Sequence, residues 1–161
     1  MVETLDKPGA KHASFTIERK FKAPPKRVFA AWATLEAKQK WFAGGEGWTE
    51  EVRGFDFREG GSEELVGRKK TGTVSAFFCR YWEIIPDQRI VYAYDMHLDG
   101  VRISVSLATI ELRPEGTGTH MTLTEQGAYL VPYDPDGDDH GSRLRGTTEL
   151  IDRVVKYVDG N

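Results

Sequence analysis

The segment Arg80–Met96, RYWEIIPDQRIVYAYDM, constrains the fold most, because it writes two apolar runs around a single Pro-Asp-Gln break. Tyr81, Trp82, Ile84 and Ile85 on one side, and Ile90, Val91, Tyr92 and Tyr94 on the other, are residue types that suit a pleated, half-buried surface. Pro86-Asp87-Gln88 leaves room only for a direct reversal, so the runs pair as an antiparallel hairpin. Side chains alternate along a strand, which places Ile90, Tyr92, Tyr94 and Met96 on one face and Val91, Ala93, Asp95 and His97 on the other. A face with that much aromatic surface needs a cover, and a cover that leaves room needs a ligand.

The flanking sequence supplies the rest of such a sheet. Residues 1–13 are polar and aperiodic and read as a flexible leader, with a single domain over 14–158. Phe15, Ile17 and Phe21 alternate with polar residues as a first strand from Ser14 to Phe21. Pro24-Pro25 then starts a helix to Ala33, and a second runs from Leu35 to Phe42 before Gly44-Gly45. Trp41 and Phe42 are adjacent, so one helical turn would not turn both inward. Trp48–Arg58 and Ser62–Lys69 form a hairpin about Glu59-Gly60-Gly61, and a long strand from Thr73 leads into the central turn. Beyond Leu98-Asp99-Gly100, Val101, Ile103, Val105 and Leu107 alternate against Arg102, Ser104 and Ser106 as far as Leu112. A turn over Pro114–Gly118 gives a last strand, Thr119–Gln126, with Met121, Leu123 and Glu125 on one face. After a Pro-, Asp- and Gly-rich loop over Val131–Gly141, Leu144, Thr148, Ile151, Val155 and Val158 recur at helical spacing to Val158. The expected order is strand, two helices, six antiparallel strands and a long helix, an α+β arrangement.

Composition narrows the function classes. The chain of 161 residues buries roughly 70% of its unfolded surface if it forms one domain. Its 22 basic and 25 acidic residues make no field of one sign for a polyanion, so nucleic acid is not an expected partner. Lys69-Lys70 and Lys38–Lys40 read as solvated surface. No apolar run approaches the ~20 residues of a membrane span, so no membrane partner is expected. Cys79 has no second cysteine to pair with, and a reducing cytoplasm is the expected location.

Tests for dedicated chemistry yield little. His12, His97, His120 and His140 form no HxH or HExxH pair, so no metal is expected. Asp134, Asp136, Asp138 and Asp139 resemble the start of a calcium loop, but Pro135 interrupts it, and Asp139 and Arg145 stand where glycine and glutamate belong. The glycine clusters match neither a dinucleotide nor a phosphate loop, and no cofactor is expected. What remains is the aromatic face. Phe77, Cys79, Tyr81, Tyr92, Tyr94, Met96, Met121 and Leu123 offer apolar walls with a few hydroxyls, the composition of a small-molecule pocket. Glu125 shares their face, either as a partly desolvated acid or base, or at the rim beside an arginine such as Arg80 or Arg102.

The element order, with FKAPPKRVFAAW at residues 21–32, Lys40-Trp41-Phe42, Gly60-Gly61, EIIPDQRIVY at 83–92 and TLTEQG at 122–127, resembles the START-like (SRPBCC, birch-pollen-allergen-like) superfamily. The nearest branch resembles the activator of heat-shock-protein-90 ATPase and includes polyketide-cyclase-like proteins. The resemblance implies a helix-grip fold, in which a curved antiparallel sheet wraps the C-terminal helix. Members with a Gly-Trp pair early in that helix correspond to Gly146-Thr147 here, and the smaller Thr147 would enlarge a cavity. Three functions follow as expectations: binding a small apolar or aromatic ligand with Trp41 or Phe42 at the opening; a cyclase or lyase with Glu125 and Tyr81 as acid and base; or a protein-interaction module. Free strand edges would also allow a homodimer.

Overall fold

A computed structural model describes residues 9–160. The prolines and glycines divide the chain much as expected. Strand β1 spans Lys11–Phe21, helix α1 Pro25–Ala33 and helix α2 Leu35–Trp41. Strands β2 (Trp48–Phe55), β3 (Ser62–Lys69), β4 (Val74–Ile85), β5 (Arg89–Leu98), β6 (Val101–Glu115) and β7 (Gly118–Tyr129) precede helix α3 (Asp139–Asp159). β1 starts three residues before the expected boundary at Ser14, because Lys11, His12 and Ala13 pair with Tyr129, Ala128 and Gly127. The part of the expected leader over Met1–Pro8 lies outside the described residues.

All pairings are antiparallel, in the order β1-β7-β6-β5-β4-β3-β2, so consecutive strands form a meander and β1 closes on the last strand. β6 and β7 run on through Pro114 and Thr119, which pair, so their turn is tighter than the expected Pro114–Gly118 connection. The central hairpin reverses through Asp87 at φ 64, a left-handed conformation that Asp tolerates better than most residues. A bulge precedes the turn in β4: Tyr81 opposes Tyr92 while Glu83 opposes Val91, leaving Trp82 as the extra residue. Trp82 is thrown onto the convex face, 58% exposed, with the Arg80 guanidinium over its ring.

Helices α1 and α3 cover the concave face, and the core beneath holds Phe15, Ile17, Val28, Trp32, Ile110 and Val154. α3 opens with Asp138, whose carboxylate accepts from the Gly141 amide, and closes at Gly160 in the left-handed region. The aspartate cluster before it serves the loop's own backbone: Asp134 accepts from Asp136 and Asp138, and Asp139 from Tyr133 and Asp134.

β6 departs from the expected alternation. In a half-buried strand the apolar set should face inward, yet Val105 and Leu107 are exposed on the convex face while Ser104 and Ser106 are buried on the concave one. A register shift between Met96 and His97 of β5 accompanies the change. Two hydroxyls facing a core require partners there, and α3 supplies them.

Candidate functional site

The concave face and the helices do not close completely on each other. Between them lies a cavity of about 660 Å³, within the size range of small-molecule sites. Phe77, Tyr92, Tyr94 and Met96 form its sheet wall, with Leu123 and Glu125 from β7. Gly146, Thr147 and Leu150 form the α3 wall, and a Cβ built on Gly146 meets nothing within 4 Å. Trp41 and Phe42 form the α2 wall. Both turn inward, contrary to the helical-turn argument, because Phe42 is no longer helical: as the C-cap it takes φ −101 and ψ 76, held by Arg53 Nη2 donating to its carbonyl at 2.7 Å. Trp41 is fixed by Nε1 donating to the Ala31 carbonyl at 2.7 Å. The connection after α2 contributes Ala43, Gly44, Gly45 and Trp48, and Arg153 of α3 ties to it by donating to the Ala43 carbonyl.

The residues expected at the site from sequence thus divide. Trp41, Phe42, Phe77, Tyr92, Tyr94, Met96, Leu123 and Thr147 line the cavity, whereas Cys79, Tyr81 and Met121 lie in the packed core outside its lining. Strand parity identifies the face a residue takes, but not which stretch of that face is covered. Tyr81 is sealed beneath Phe57, with ring centroids 5.0 Å apart, and Phe57 in turn packs on Phe29 of α1. Burial pushes the Cys79 thiol up to about 12, with the Glu63 carboxylate adding to the shift.

Glu125 is buried and pairs with an arginine, though neither of those expected. Arg80 stacks on Trp82 and Arg102 pairs with Asp95. The partner is Arg143, in the first turns of α3. Tyr94 Oη donates to Glu125 Oε1 at 2.7 Å, and Arg143 Nη1 donates to Tyr94 Oη at 3.1 Å. Arg143 also donates to Ser106 Oγ at 3.3 Å and Ser104 Oγ at 2.7 Å, which explains the buried serines of β6. Arg143 lies 3.8 Å from Glu125 Oε2, near enough for attraction but too far for a hydrogen bond, so Oε2 is a buried acceptor with no donor. Burial raises the Glu125 carboxyl above its ordinary range, opposed by the Tyr94 hydrogen bond and the charges of Arg143 and His140. Burial likewise raises the Tyr94 phenol, which stays protonated and able to donate. The phenol that meets Glu125 at the cavity is therefore Tyr94, whereas Tyr81 meets Glu63.

A second buried polar centre was not evident from sequence. Tyr81 Oη donates to Glu63 Oε1, and Lys38 Nζ sits 3.0 Å from the same oxygen, over the rings of Trp41 and Phe42. Glu63 is fully buried and does not line the cavity, whereas Lys38 does. Its signal was present: Lys38 precedes Trp41 and Phe42 by three and four residues, so it shares their face of α2 rather than the solvated one.

A meander sheet curved around a C-terminal helix, with a cavity between them, defines a helix-grip protein of the START-like (SRPBCC) type. The comparisons agree. Residues 22–158 match the family described as Activator of Hsp90 ATPase homolog 1-like protein, and the chain belongs to that family. An uncharacterised protein from Rhizobium leguminosarum is 41% identical, with 94% of this chain and 97% of that one covered and a TM-score of 0.86. The Mll3558 protein of Rhizobium loti is 35% identical over 93% and 99% of the two chains, with a TM-score of 0.84. CV1439 of Chromobacterium violaceum is 25% identical over 91% and 96%, with a TM-score of 0.72. No curated protein matches the chain.

Proposed function

We propose that the chain binds a small, largely apolar or aromatic molecule between the sheet and α3. The observation that carries this reading is the cavity itself, whose walls are mainly aromatic and aliphatic with few polar groups, as in sites that enclose most of a ligand's surface. A cavity of that size left empty in a core forfeits packing contacts, whereas an occupied one does not. Family membership supports a ligand-binding role of this general kind. The reading places the protein in the cytoplasm, where its single thiol stays reduced. Among the described residues no helix is long and apolar enough to cross a membrane.

Native mass spectrometry of the protein as purified, before and after mild denaturation, tests the reading. A small molecule released on denaturation is the expected result; bare protein at the sequence mass in both states, together with no uptake of aromatic probes, counts against it.

A second reading is favoured by one observation, the donor-free oxygen of Glu125 beside the Tyr94 hydroxyl, with both residues buried. Under it the cavity is catalytic, of the cyclase or lyase kind, and Glu125 and Tyr94 exchange a proton with the bound molecule. An identified ligand incubated with wild type and with Glu125→Gln separates the two: conversion by wild type that the variant abolishes marks a catalytic site, and background product with both proteins marks a binder.

A further inference from the structure

The polar groups of the cavity restrict what its occupant can be, and this step rests on the binding reading above. Each enclosed cation at the cavity is matched by a carboxylate, Lys38 by Glu63 at 3.0 Å and Arg143 by Glu125 at 3.8 Å, so their formal charges cancel; the remaining lining cation, Arg153, is exposed and donates to the Ala43 carbonyl. In the enclosed part a ligand carboxylate would find no free cation and would meet Glu125; a ligand ammonium would meet Arg143 at the same place. Among the described residues two buried carboxylate oxygens have no donor, Glu63 Oε2 and Glu125 Oε2, and of these only Glu125 Oε2 belongs to a residue that lines the cavity. Its companion oxygen is already served by Tyr94, and the Arg143 group nearest Oε2 is engaged with Tyr94 and Ser106. A buried acceptor lacking its bond costs free energy that a correctly placed donor recovers.

We infer that the ligand is an uncharged molecule bearing a hydroxyl, which donates to Glu125 Oε2 while the aromatic walls of Phe77, Tyr92 and Phe42 enclose its apolar body. Direct readout of a hydroxyl by a buried acceptor discriminates strongly against analogues that lack the donor.

Three probes of one shape test this: 4-hydroxybiphenyl, its methyl ether and biphenyl-4-carboxylate, titrated against the full chain by calorimetry. The hydroxyl compound is expected to bind about tenfold more tightly than the ether, and the carboxylate most weakly. Glu125→Gln should erase the difference between hydroxyl and ether. With Tyr94 donating to the amide oxygen, the amide nitrogen takes the place of Oε2 and offers a donor to either probe. The ether or the carboxylate binding as tightly as the phenol in the wild-type protein overturns the inference while leaving the binding reading intact. So does a hydroxyl preference that persists undiminished in Glu125→Gln. Where that variant fails to fold, the wild-type ranking decides alone. A molecule retained from expression is judged by the same criterion: an uncharged hydroxyl compound supports the inference, and an anion or a molecule without a hydroxyl overturns it. Bare protein that takes up none of the three removes the binding reading along with it.

Discussion

The hydroxyl of Tyr94 joins three elements of the site, donating to Glu125 of β7 and accepting from Arg143 of α3. Tyr94→Phe keeps the ring that packs on Phe77 but strips both bonds, leaving Glu125 with no donor at either oxygen. We expect that variant to lose about 1–3 kcal/mol by urea denaturation, the cost of an unsatisfied buried polar group; a loss within error of zero would mean that water replaces the hydroxyl. Glu125 also links stability to pH. Its carboxyl titrates higher in the folded protein than its ordinary 4.5, so between the two values the folded state holds more protons than the unfolded one. The contribution of Glu125 is therefore fully present below about pH 4.5 and is lost as pH rises through the folded pKa. Measured from pH 4 to 8, the stability of wild type minus that of Glu125→Gln should fall with rising pH and then level off; a difference that rises would reverse the sign assigned to the burial. Cys79 gives a simpler check. With its thiol pushed up to about 12 in the core, the reactive thiolate is scarce and enclosed. Iodoacetamide should label it only as fast as the chain opens, and rapid labelling of the native protein would show that the core beneath Tyr81 is accessible.

At the scale of elements, α3 decides how much room the sheet has left. Gly146 lies on its cavity side with nothing near an added Cβ. Gly146→Ala should stabilise the helix by roughly 0.5–1 kcal/mol, because glycine is a poor helix former, and leave ligand binding nearly unchanged. Thr147→Trp places a large ring where the cavity now is, and should weaken binding at least tenfold in the same titration without lowering the melting temperature. A tenfold loss through unfolding instead would mean that the space is smaller than it measures. The elements themselves were largely legible, since period-two and period-3.6 patterns and the Pro and Gly breaks mark each strand and helix of this chain. The site was legible in part. Parity put Glu125 on the right face, yet could not supply Arg143, because the rotation of α3 against the sheet is set by packing over the whole molecule. One sequence signal did exist: Arg143, Thr147, Ile151 and Val154 follow helical spacing, so the guanidinium sits on the buried stripe. The buried Ser104 and Ser106 are the other half of that signal, since their alternation with Val105 and Leu107 runs apolar side out.

Seen as one molecule, the fold couples ligand binding to global stability, because the cavity is bounded by α2, α3 and strands on both sides of the central hairpin. An occupant that binds only the folded chain stabilises it by mass action, about 2.7 kcal/mol at a free concentration of 100 Kd. For a domain of this size 1 kcal/mol corresponds to roughly 2–4 °C, so saturating ligand should raise the melting temperature by about 5–10 °C. Protein refolded from denaturant and freed of small molecules should melt correspondingly lower than protein as purified, and should recover on addition of the extracted material. The tryptophans offer an independent readout. Trp32, Trp41 and Trp48 border the cavity while Trp82 stands on the convex face. In Trp82→Phe all remaining indole emission comes from cavity-lining residues, and its change on binding should saturate at the same concentration as the thermal shift. Agreement of the two curves locates the ligand between sheet and helix. A thermal shift with unchanged emission would place it elsewhere, with the exposed apolar surface around Phe78, Val105 and Leu107 as the next region to probe.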